Sequence, residues 1–241
     1  MLHKLSRQTL AEQAVESLQG YIEETNLQPG DVLPSEAILA ARLGVSRPVI
    51  REALKALVGR SVIEIVNGKG AIIKPVGSGD LSPFFRRAVN FDQNAVRELL
   101  EVRQGLEVQA ARIAASLRTD DEIVQLEEIL AQMRKHLFEA EMFIEADLAF
   151  HLCIASITHN SILRYLVESI REAMRGTMLQ WHYHRHTPEE HERVFQLHAA
   201  ITNALKAGDP AAAADAMTDH FVNAIAHLRE SGSTAPPNST T

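Results

Sequence analysis

The sequence predicts a mainly α-helical protein, with a small N-terminal part that carries one β-hairpin and an all-α bundle of six to seven helices. Three observations support this prediction. Apolar helical stripes flank Gly44, β-branched runs flank residues 67–70, and apolar residues recur at helical spacing from residue 81 onward without a convincing strand pattern. The 241 residues are enough for two such parts, each with its own core.

The N-terminal part begins with two predicted helices. Helical periodicity runs from Leu10 to Ile22, and Pro29-Gly30 marks the loop that follows. A second apolar stripe, from Leu33 to Leu43, stops at Gly44. Glycine is the residue type expected where a helix must turn sharply, so the second helix should end there.

A third predicted helix has two unlike faces. Ser46 is expected to cap its start, and Pro48 suits its first turn. Apolar residues recur on one face, while Arg47, Arg51 and Lys55 recur every fourth residue on another. Arginines at the front of such a helix reach guanine edges in the major groove, and a lysine further along meets phosphate. The alternative is an ordinary amphipathic helix with a solvated cationic face.

A predicted hairpin follows this helix and favours the DNA-binding interpretation. The β-branched runs at 62–66 and 71–73 are separated by Asn67-Gly68-Lys69-Gly70, which places Asn-Gly at a hairpin tip. A basic, Gly-rich hairpin directly after a helix-turn-helix makes a winged helix. Lys69 is then expected at the wing tip, where it touches backbone phosphate or the minor groove.

The motifs of this segment are Pro29-Gly30, Leu33-Pro34-Ser35-Glu36, Ser46-Arg47 and Gly68-Lys69-Gly70. With them, the segment from Thr9 to Pro75 resembles the DNA-binding domain of the GntR superfamily of bacterial regulators, except that Ala37 stands where members usually carry a basic residue. The resemblance implies a homodimer that binds pseudo-palindromic, double-stranded operator DNA. The predicted DNA-binding residues are Ser35, Ser46, Arg47, Arg51, Lys55, Gly68, Lys69 and Gly70.

The charge distribution is compatible with DNA binding. The net charge is −7, but residues 1–76 hold nine Lys/Arg against eight Asp/Glu, so most of the excess acid lies in the bundle. Cys153 is the single cysteine, which rules out an internal disulfide and fits a reducing cytoplasm. No apolar run reaches the length of a membrane span, so we expect no membrane partner.

The bundle and the domain boundaries follow from helical periodicity and its breaks. The predicted helices are 81–89, 93–117, 120–138, 140–157, 160–182, 188–207 and 210–230. The predicted domains are a winged helix-turn-helix at 9–76, a linker at 77–80, a helical effector and dimerisation domain at 81–230, and a disordered tail at 231–241.

Polar side chains on three predicted helices point toward the bundle interior. Asp147 and His151 are four residues apart and share a face, while His198 and His220 lie on the apolar stripes of two other helices. A single such histidine is typical of a hydrogen-bonded core residue. The four residues together also suit a metal site, because bundles build such sites from inward-facing side chains. Imidazole with carboxylate suits Zn²⁺, with Ni²⁺ or Mn²⁺ as alternatives.

The residues that carry a second resemblance are Arg103 with Glu107, Asp147 to His151, Asn160, His198 and His220. With them, residues 81–230 resemble the all-helical ligand domain, called FCD, of the FadR subgroup of GntR regulators. The resemblance implies that Asp147, His151, His198 and His220 hold a divalent metal, and that a small organic or sugar acid is the effector. We expect Arg103 to bind the effector carboxylate and Asn160 to line the same pocket. The alternatives are a salt bridge from Arg103 to Glu107 and a helix cap formed by Asn160.

Three functions are compatible with these patterns. The first is a transcriptional regulator, most simply a repressor, whose DNA affinity a small carboxylate controls through the metal site. The second is a metal-dependent hydrolase or lyase that uses the same cluster, although catalytic zinc usually has only three protein ligands. In the third, the metal is purely structural. A further histidine run, at His182, His184 and His186, is predicted to be a solvated or dimer-facing loop.

Overall fold

The structure is a computed structural model that describes residues 8–92 and 94–232, with side chains described up to Leu228. The chain forms two compact units that divide between Gly77 and Ser78. Most of the predicted tail lies outside the described residues, and its first two residues belong to the last helix. No helix in the described part of the chain combines the length and apolar character needed to cross a membrane.

The first unit is a helix-turn-helix followed by a two-stranded antiparallel wing. Its elements are α1 (Leu10–Glu24), α2 (Glu36–Leu43), α3 (Arg47–Gly59), β1 (Ile63–Val66) and β2 (Gly70–Ile73). Ile63 pairs with Ile73 and Val66 with Gly70 across the hairpin. Gly44 ends α2 in the left-handed conformation, with φ 65°, as its glycine predicted.

Apolar packing holds the first unit together. Leu18 of α1, Ile50 and Leu57 of α3 and Ile63 of β1 are almost fully buried in one cluster. One local expectation was wrong, because Ser46 occupies the N-cap position of α3 but its side chain makes no capping hydrogen bond. The start of α3 is fixed instead by the proline in its first turn and by this packing.

The second unit is an all-α bundle, as predicted. After a 3₁₀ turn at Ser78–Asp80, its helices are α4 (Ser82–Phe91), α5 (Ala95–Leu117), α6 (Asp120–Lys135), α7 (Ala140–Ile157), α8 (Ser161–Tyr183), α9 (Pro188–Ala207) and α10 (Pro210–Gly232). The main differences from expectation are that α4 runs through Phe91, where a break was predicted, and that α6 ends three residues early.

Helix α5 lies at the centre of the bundle and packs against α7, α8, α9 and α10. The C-terminal half of its buried face is made of small residues, with Ala110, Ala111, Ala114 and Ala115 all buried. Small side chains let neighbouring helix backbones approach closely, because little side-chain volume separates the axes. Polar residues that face inward from these five helices therefore lie within reach of one another.

Candidate metal centre and nucleic-acid interface

Three of the predicted metal ligands form one compact group inside the bundle. His151 comes from α7, His198 from α9 and His220 from α10, and one nitrogen of each lies within 4.8 Å of the others. The ring centroids of His198 and His220 are 4.6 Å apart, and those of His151 and His220 are 5.0 Å apart. Nitrogens bound tetrahedrally to one Zn²⁺ at about 2.0–2.1 Å lie about 3.4 Å apart, so side-chain movements of up to about 1.4 Å are needed to close the group around an ion.

The hydrogen bonding of these imidazoles fits a cation. Both ring nitrogens of His151 and Nδ1 of His220 are buried without a hydrogen-bond partner among the described residues. His198 faces acceptors on both sides, with Nδ1 2.8 Å from the Val194 carbonyl oxygen and Nε2 2.9 Å from Asp147 Oδ1. A neutral imidazole carries one N–H and satisfies only one of these acceptors. Metal-binding histidines commonly donate their other N–H to a backbone carbonyl, so Val194 suits that role and leaves Nε2 for a cation.

Burial also favours the neutral imidazoles that metals require. It lowers the pKa of His198, despite the opposing attraction of Asp147. It lowers the pKa of His220 well below the usual value, and the neighbouring His198 and His151 act in the same direction. Neutral imidazole is the form that ligates a metal, because its free nitrogen lone pair is available.

Asp147 lies beside the three histidines. Its Oδ1 is 2.9 Å from Nε2 of His198 and 3.7 Å from Nε2 of His151, while Oδ2 forms an ion pair with the buried Arg171. Burial alone would raise the pKa of Asp147, but Arg171 and the two histidines hold it well below its usual value. The aspartate is therefore ionised, and Oδ1 faces the histidine cluster.

Glu107 connects this cluster to Arg103. Its Oε1 accepts a hydrogen bond of 2.8 Å from Nε of Arg103, and its Oε2 lies 2.5 Å from Nδ1 of His151 in a contact without hydrogen-bond geometry. Burial would raise the pKa of Glu107, but Arg103, His151 and Arg171 lower it well below its usual value. Arg103 thus forms the salt bridge that was one of its two sequence interpretations.

An inner cavity of about 50 Å³ adjoins the cluster. Its polar lining consists of Arg103, Asp147, Arg185 and His220, and its apolar lining includes Phe143, Trp181 and Phe221. The guanidinium of Arg103 stacks on Phe221, 5.2 Å from the ring centroid. Arg103 therefore lines the cavity as well as pairing with Glu107, and its binding of an effector carboxylate stays a prediction.

The structure shows one of the two interpretations of Asn160 and corrects one expectation for the histidine run. Asn160 caps α8, where its Oδ1 accepts a hydrogen bond of 3.0 Å from the Leu163 N–H, and it lines a separate cavity instead of the inner one. His182 does not belong to a solvated loop, because it lies in α8, is buried, and contacts the Leu137 carbonyl oxygen through Nε2. His184 and His186 are exposed, as expected.

The sequence reasoning missed Arg171 and Arg185. Arg171 follows the buried Val167 by one helical turn, so an arginine on an apolar stripe was the available signal. Arg185 lies in the segment between α8 and α9, and no periodicity distinguished it. The charge partners of Arg171 and the cavities beside Arg185 are visible only in the packed helices.

The predicted DNA-contacting residues lie on exposed parts of the first unit. Arg47, Arg51 and Lys55 are exposed on α3, and Ser35 and Ser46 occupy the N-cap positions of α2 and α3. Nε of Arg51 donates to a carboxylate oxygen of Glu36 at 2.8 Å. This ion pair orients the guanidinium while its two terminal nitrogens remain for a base edge.

The wing tip has the geometry that its glycines predicted. Gly68 and Gly70 have φ of 80° and 97°, conformations that suit glycine. Lys69 is exposed between them, and its N–H donates to the Val66 carbonyl oxygen at 3.0 Å. The wing therefore presents one flexible cation on a tightly turned backbone.

Comparison with known proteins agrees with this architecture. The family described as "Bacterial regulatory proteins, gntR family" matches residues 10–73, and the family described as "FCD domain" matches residues 98–223. The chain belongs to the GntR family of bacterial regulators and carries an FCD domain. It is a DNA-binding transcriptional regulator and not an enzyme, so the hydrolase or lyase alternative is withdrawn.

Several relatives match over most of their length. The chain is 34% identical to the HTH-type transcriptional regulator LutR of Bacillus subtilis (strain 168), covering 84% of this chain and 93% of LutR. It is 32% identical to the Glc operon transcriptional activator of Escherichia coli (strain K12), with 90% and 88% covered. A solved structure of Streptococcus agalactiae GntR aligns with TM-score 0.69 and 25% identity, covering 90% of this chain and 99% of that one.

Proposed function

We propose that this GntR regulator is a repressor whose operator affinity is controlled by a small carboxylic acid bound at a divalent metal in its FCD domain. The observation that carries the proposal is the buried group of His151, His198 and His220, which adjoins a cavity lined by Arg103. The fold and family supply the DNA-binding half of the account, and the histidine group supports the sensing half.

The residues that would hold the metal are Asp147, His151, His198 and His220. Three imidazole nitrogens and one carboxylate oxygen suit Zn²⁺, and Ni²⁺ or Mn²⁺ also accept such ligands. A bound divalent ion would supply positive charge and open coordination positions at the cavity wall. Arg103 and Asp147 line that same wall.

The charge balance supports an anionic effector. Among the residues whose side chains the structure describes, the buried arginines and carboxylates are Arg103 and Arg171, against Glu107 and Asp147. These charges cancel, so a divalent ion adds two uncompensated positive charges beside the inner cavity. A carboxylate there offsets that charge, and Arg103 would donate to it through its terminal nitrogens.

The size of the inner cavity supports coupling to conformation. Its volume of about 50 Å³ is near a third of the roughly 150 Å³ of a cavity that holds benzene. A carboxylate group fills such a space, and a larger group must displace side chains or extend outward. An acid that binds one arrangement of the bundle better than another shifts the protein toward that arrangement.

Linkage then sets the effect on DNA. An effector that binds better to the arrangement with low DNA affinity lowers the affinity of the protein for its operator. Operator DNA in turn lowers the affinity of the protein for the effector by the same factor. We therefore expect a homodimer on a pseudo-palindromic operator to be released by the acid. A regulator that binds operator DNA acts where that DNA lies, so we place it in the cytoplasm.

The test combines metal analysis with DNA binding. Purified protein is analysed for bound metal, and gel shifts on its own promoter are run with malate, glycerate, 2-hydroxybutyrate and gluconate. The proposal predicts about one divalent ion per chain and at least one acid that weakens the shift. A melting temperature that rises with Zn²⁺ while no acid changes either melting or DNA binding would assign the metal a purely structural role and overturn the proposal.

A further inference from the structure

The inner cavity opens beside a second, outer cavity in the same helical unit. The outer cavity has a volume of about 270 Å³. Its lining residues are Arg185, Glu190, Arg193, Val194, Asn223, Ala226 and His227. Arg185 and Val194 line both cavities, so they stand at the junction between them.

Arg185 is a partly buried arginine whose guanidinium has no direct partner among the described residues. Its side chain makes no hydrogen bond or ion pair with the residues that the structure describes, whereas Arg103 and Arg171 are both paired. It is only partly exposed to solvent, and burial lowers its pKa. The guanidinium of Arg185 can therefore take an acidic side chain or an anionic ligand as its partner.

The nearest acids do not fill that role. Asp147 attracts Arg185 at long range, but both of its oxygens are already engaged, by His198 and by Arg171. Glu190 also attracts it, but a carboxylate oxygen of Glu190 accepts the backbone N–H groups of His186 and Thr187 at the start of α9.

The outer cavity adds further polar capacity. Arg193 is exposed at its rim and makes no ion pair among the described residues, and Asn223 provides an amide that both donates and accepts. The outer cavity is lined by two arginines and one carboxylate, so the charged side chains of its lining carry a net positive charge. The volume of the outer cavity is about five times that of the inner one, so the bulk of a ligand fits here and not beside the histidines.

We propose that Arg185 binds a second anionic group of the effector, so that the effector is an organic acid whose far end carries a carboxylate or a phosphate. The inference rests on the proposed function, because it places the first carboxylate in the inner cavity. The acid then extends past Arg185 and Val194 into the outer cavity. A monocarboxylic acid of equal length lacks the second contact and binds more weakly.

The experiment is isothermal titration calorimetry on the full-length, Zn²⁺-loaded protein with matched pairs of acids. Malate is compared with 2-hydroxybutyrate, and 3-phosphoglycerate with glycerate, since each pair differs mainly in the terminal anionic group. A charge-assisted contact is expected to make the dianion bind about 10-fold tighter or more. The pair with the larger ratio identifies the terminal group as carboxylate or phosphate.

Two variants of Arg185 and one control assign the effect. Arg185→Gln is expected to reduce the dianion-to-monoanion ratio to about 1, because the loss falls mainly on the acid with a second anionic group, and Arg185→Lys is expected to retain part of the ratio. The control is Arg164→Gln, which removes an α8 arginine that pairs with Glu168 and lines a different cavity, and it should keep the wild-type ratio.

The outcomes separate the two proposals. If the monoanions bind but neither dianion binds tighter, or if both Arg185 variants keep the wild-type ratio, the Arg185 subsite is overturned while acid sensing stands. If none of the four acids binds the Zn²⁺-loaded wild-type protein, acid sensing itself is overturned, and the subsite with it.

Discussion

Nε of Arg103 donates to Oε1 of Glu107 at 2.8 Å, in a salt bridge from which solvent is almost excluded. The second oxygen of this carboxylate lies 2.5 Å from His151. One carboxylate thus touches both a cation at the cavity wall and an imidazole of the proposed metal site. Such outer contacts fix the orientation of a metal ligand and are often needed for full metal affinity.

Replacement of Glu107 by Gln is therefore expected to weaken Zn²⁺ binding about 10- to 100-fold. The amide keeps the shape of the side chain but removes the charge that faces His151 and Arg103. Competition of Zn²⁺ with a chelator of known affinity measures the change. Glu101→Gln is the matched control, because Glu101 lies on the same helix in an exposed pair with Arg97. Equal Zn²⁺ affinity in the two variants would show that Glu107 has no such role.

Loss of Arg171 should be far more costly than loss of an exposed arginine on the same helix. Arg171→Met leaves Asp147 and Glu107 with fewer charge partners in the interior, and we expect a loss of about 3–5 kcal/mol in the free energy of unfolding at pH 7. Arg175→Met removes a half-exposed pair with Glu145 and should cost at most about 1 kcal/mol. Urea unfolding of the metal-free proteins measures both free energies of unfolding. Similar losses in the two variants would show that the buried ion pairs of Arg171 stabilise the protein no more than the half-exposed pair of Arg175.

The pH dependence of the Arg171 effect follows from the lowered pKa values of its partners. In the unfolded chain the pKa is 3.8 for Asp147 and 4.5 for Glu107, and in the folded protein both pKa values are well below these. The two carboxylates therefore stabilise the folded protein at pH values above their unfolded-state pKa values. The stability is lost as pH falls through the folded-state pKa values, which lie well below the usual range. The difference between wild-type and Arg171→Met should therefore be full at pH 7 and narrow in acid. A difference that widens on acidification would contradict this sign.

His182 gives a separate pH prediction. Burial lowers its pKa from 6.5 to about 4, so between these values the unfolded chain binds a proton that the native protein does not. Stability is complete above about pH 6.5 and falls as pH approaches 4. From pH 7 to pH 5, the metal-free wild-type protein should lose about 1–2 kcal/mol more unfolding free energy than His182→Gln. His184→Gln, at an exposed position, should match the wild type, and an unchanged loss in His182→Gln would exclude the effect.

The helices were predictable from sequence because their apolar periodicity, caps and breaks are local signals. The glycines of the turn and wing were predictable for the same reason. The buried network was not, since Arg171 and Glu107 are 64 residues apart in the chain and meet only through helix packing. Asn160 shows the converse, because a local cap competed with a distant pocket and the local contact was formed.

The two arginines at the front of α3 should determine operator preference. Arg47→Ala and Arg51→Ala are each expected to cost about 1–3 kcal/mol of operator binding and to relax base preference, whereas Lys69→Ala should weaken binding evenly across sequences. Arg60→Ala, which removes an exposed arginine after α3 that bonds to Gln19, is the control. Fluorescence anisotropy on operator and scrambled duplexes measures both quantities. Intact operator affinity in Arg51→Ala would reject α3 as the reading helix.

We propose a link between acid binding and DNA release that runs through the histidine cluster. Its most direct test is fluorescence anisotropy on the protein's own promoter, with malate and 2-hydroxybutyrate, for wild-type protein with and without Zn²⁺ and for His198→Ala. We expect acid to weaken operator binding only in the Zn²⁺-loaded wild-type protein, while His198→Ala binds the operator equally with and without acid. An acid response that persists after Zn²⁺ is removed, or that persists in His198→Ala, would contradict the account.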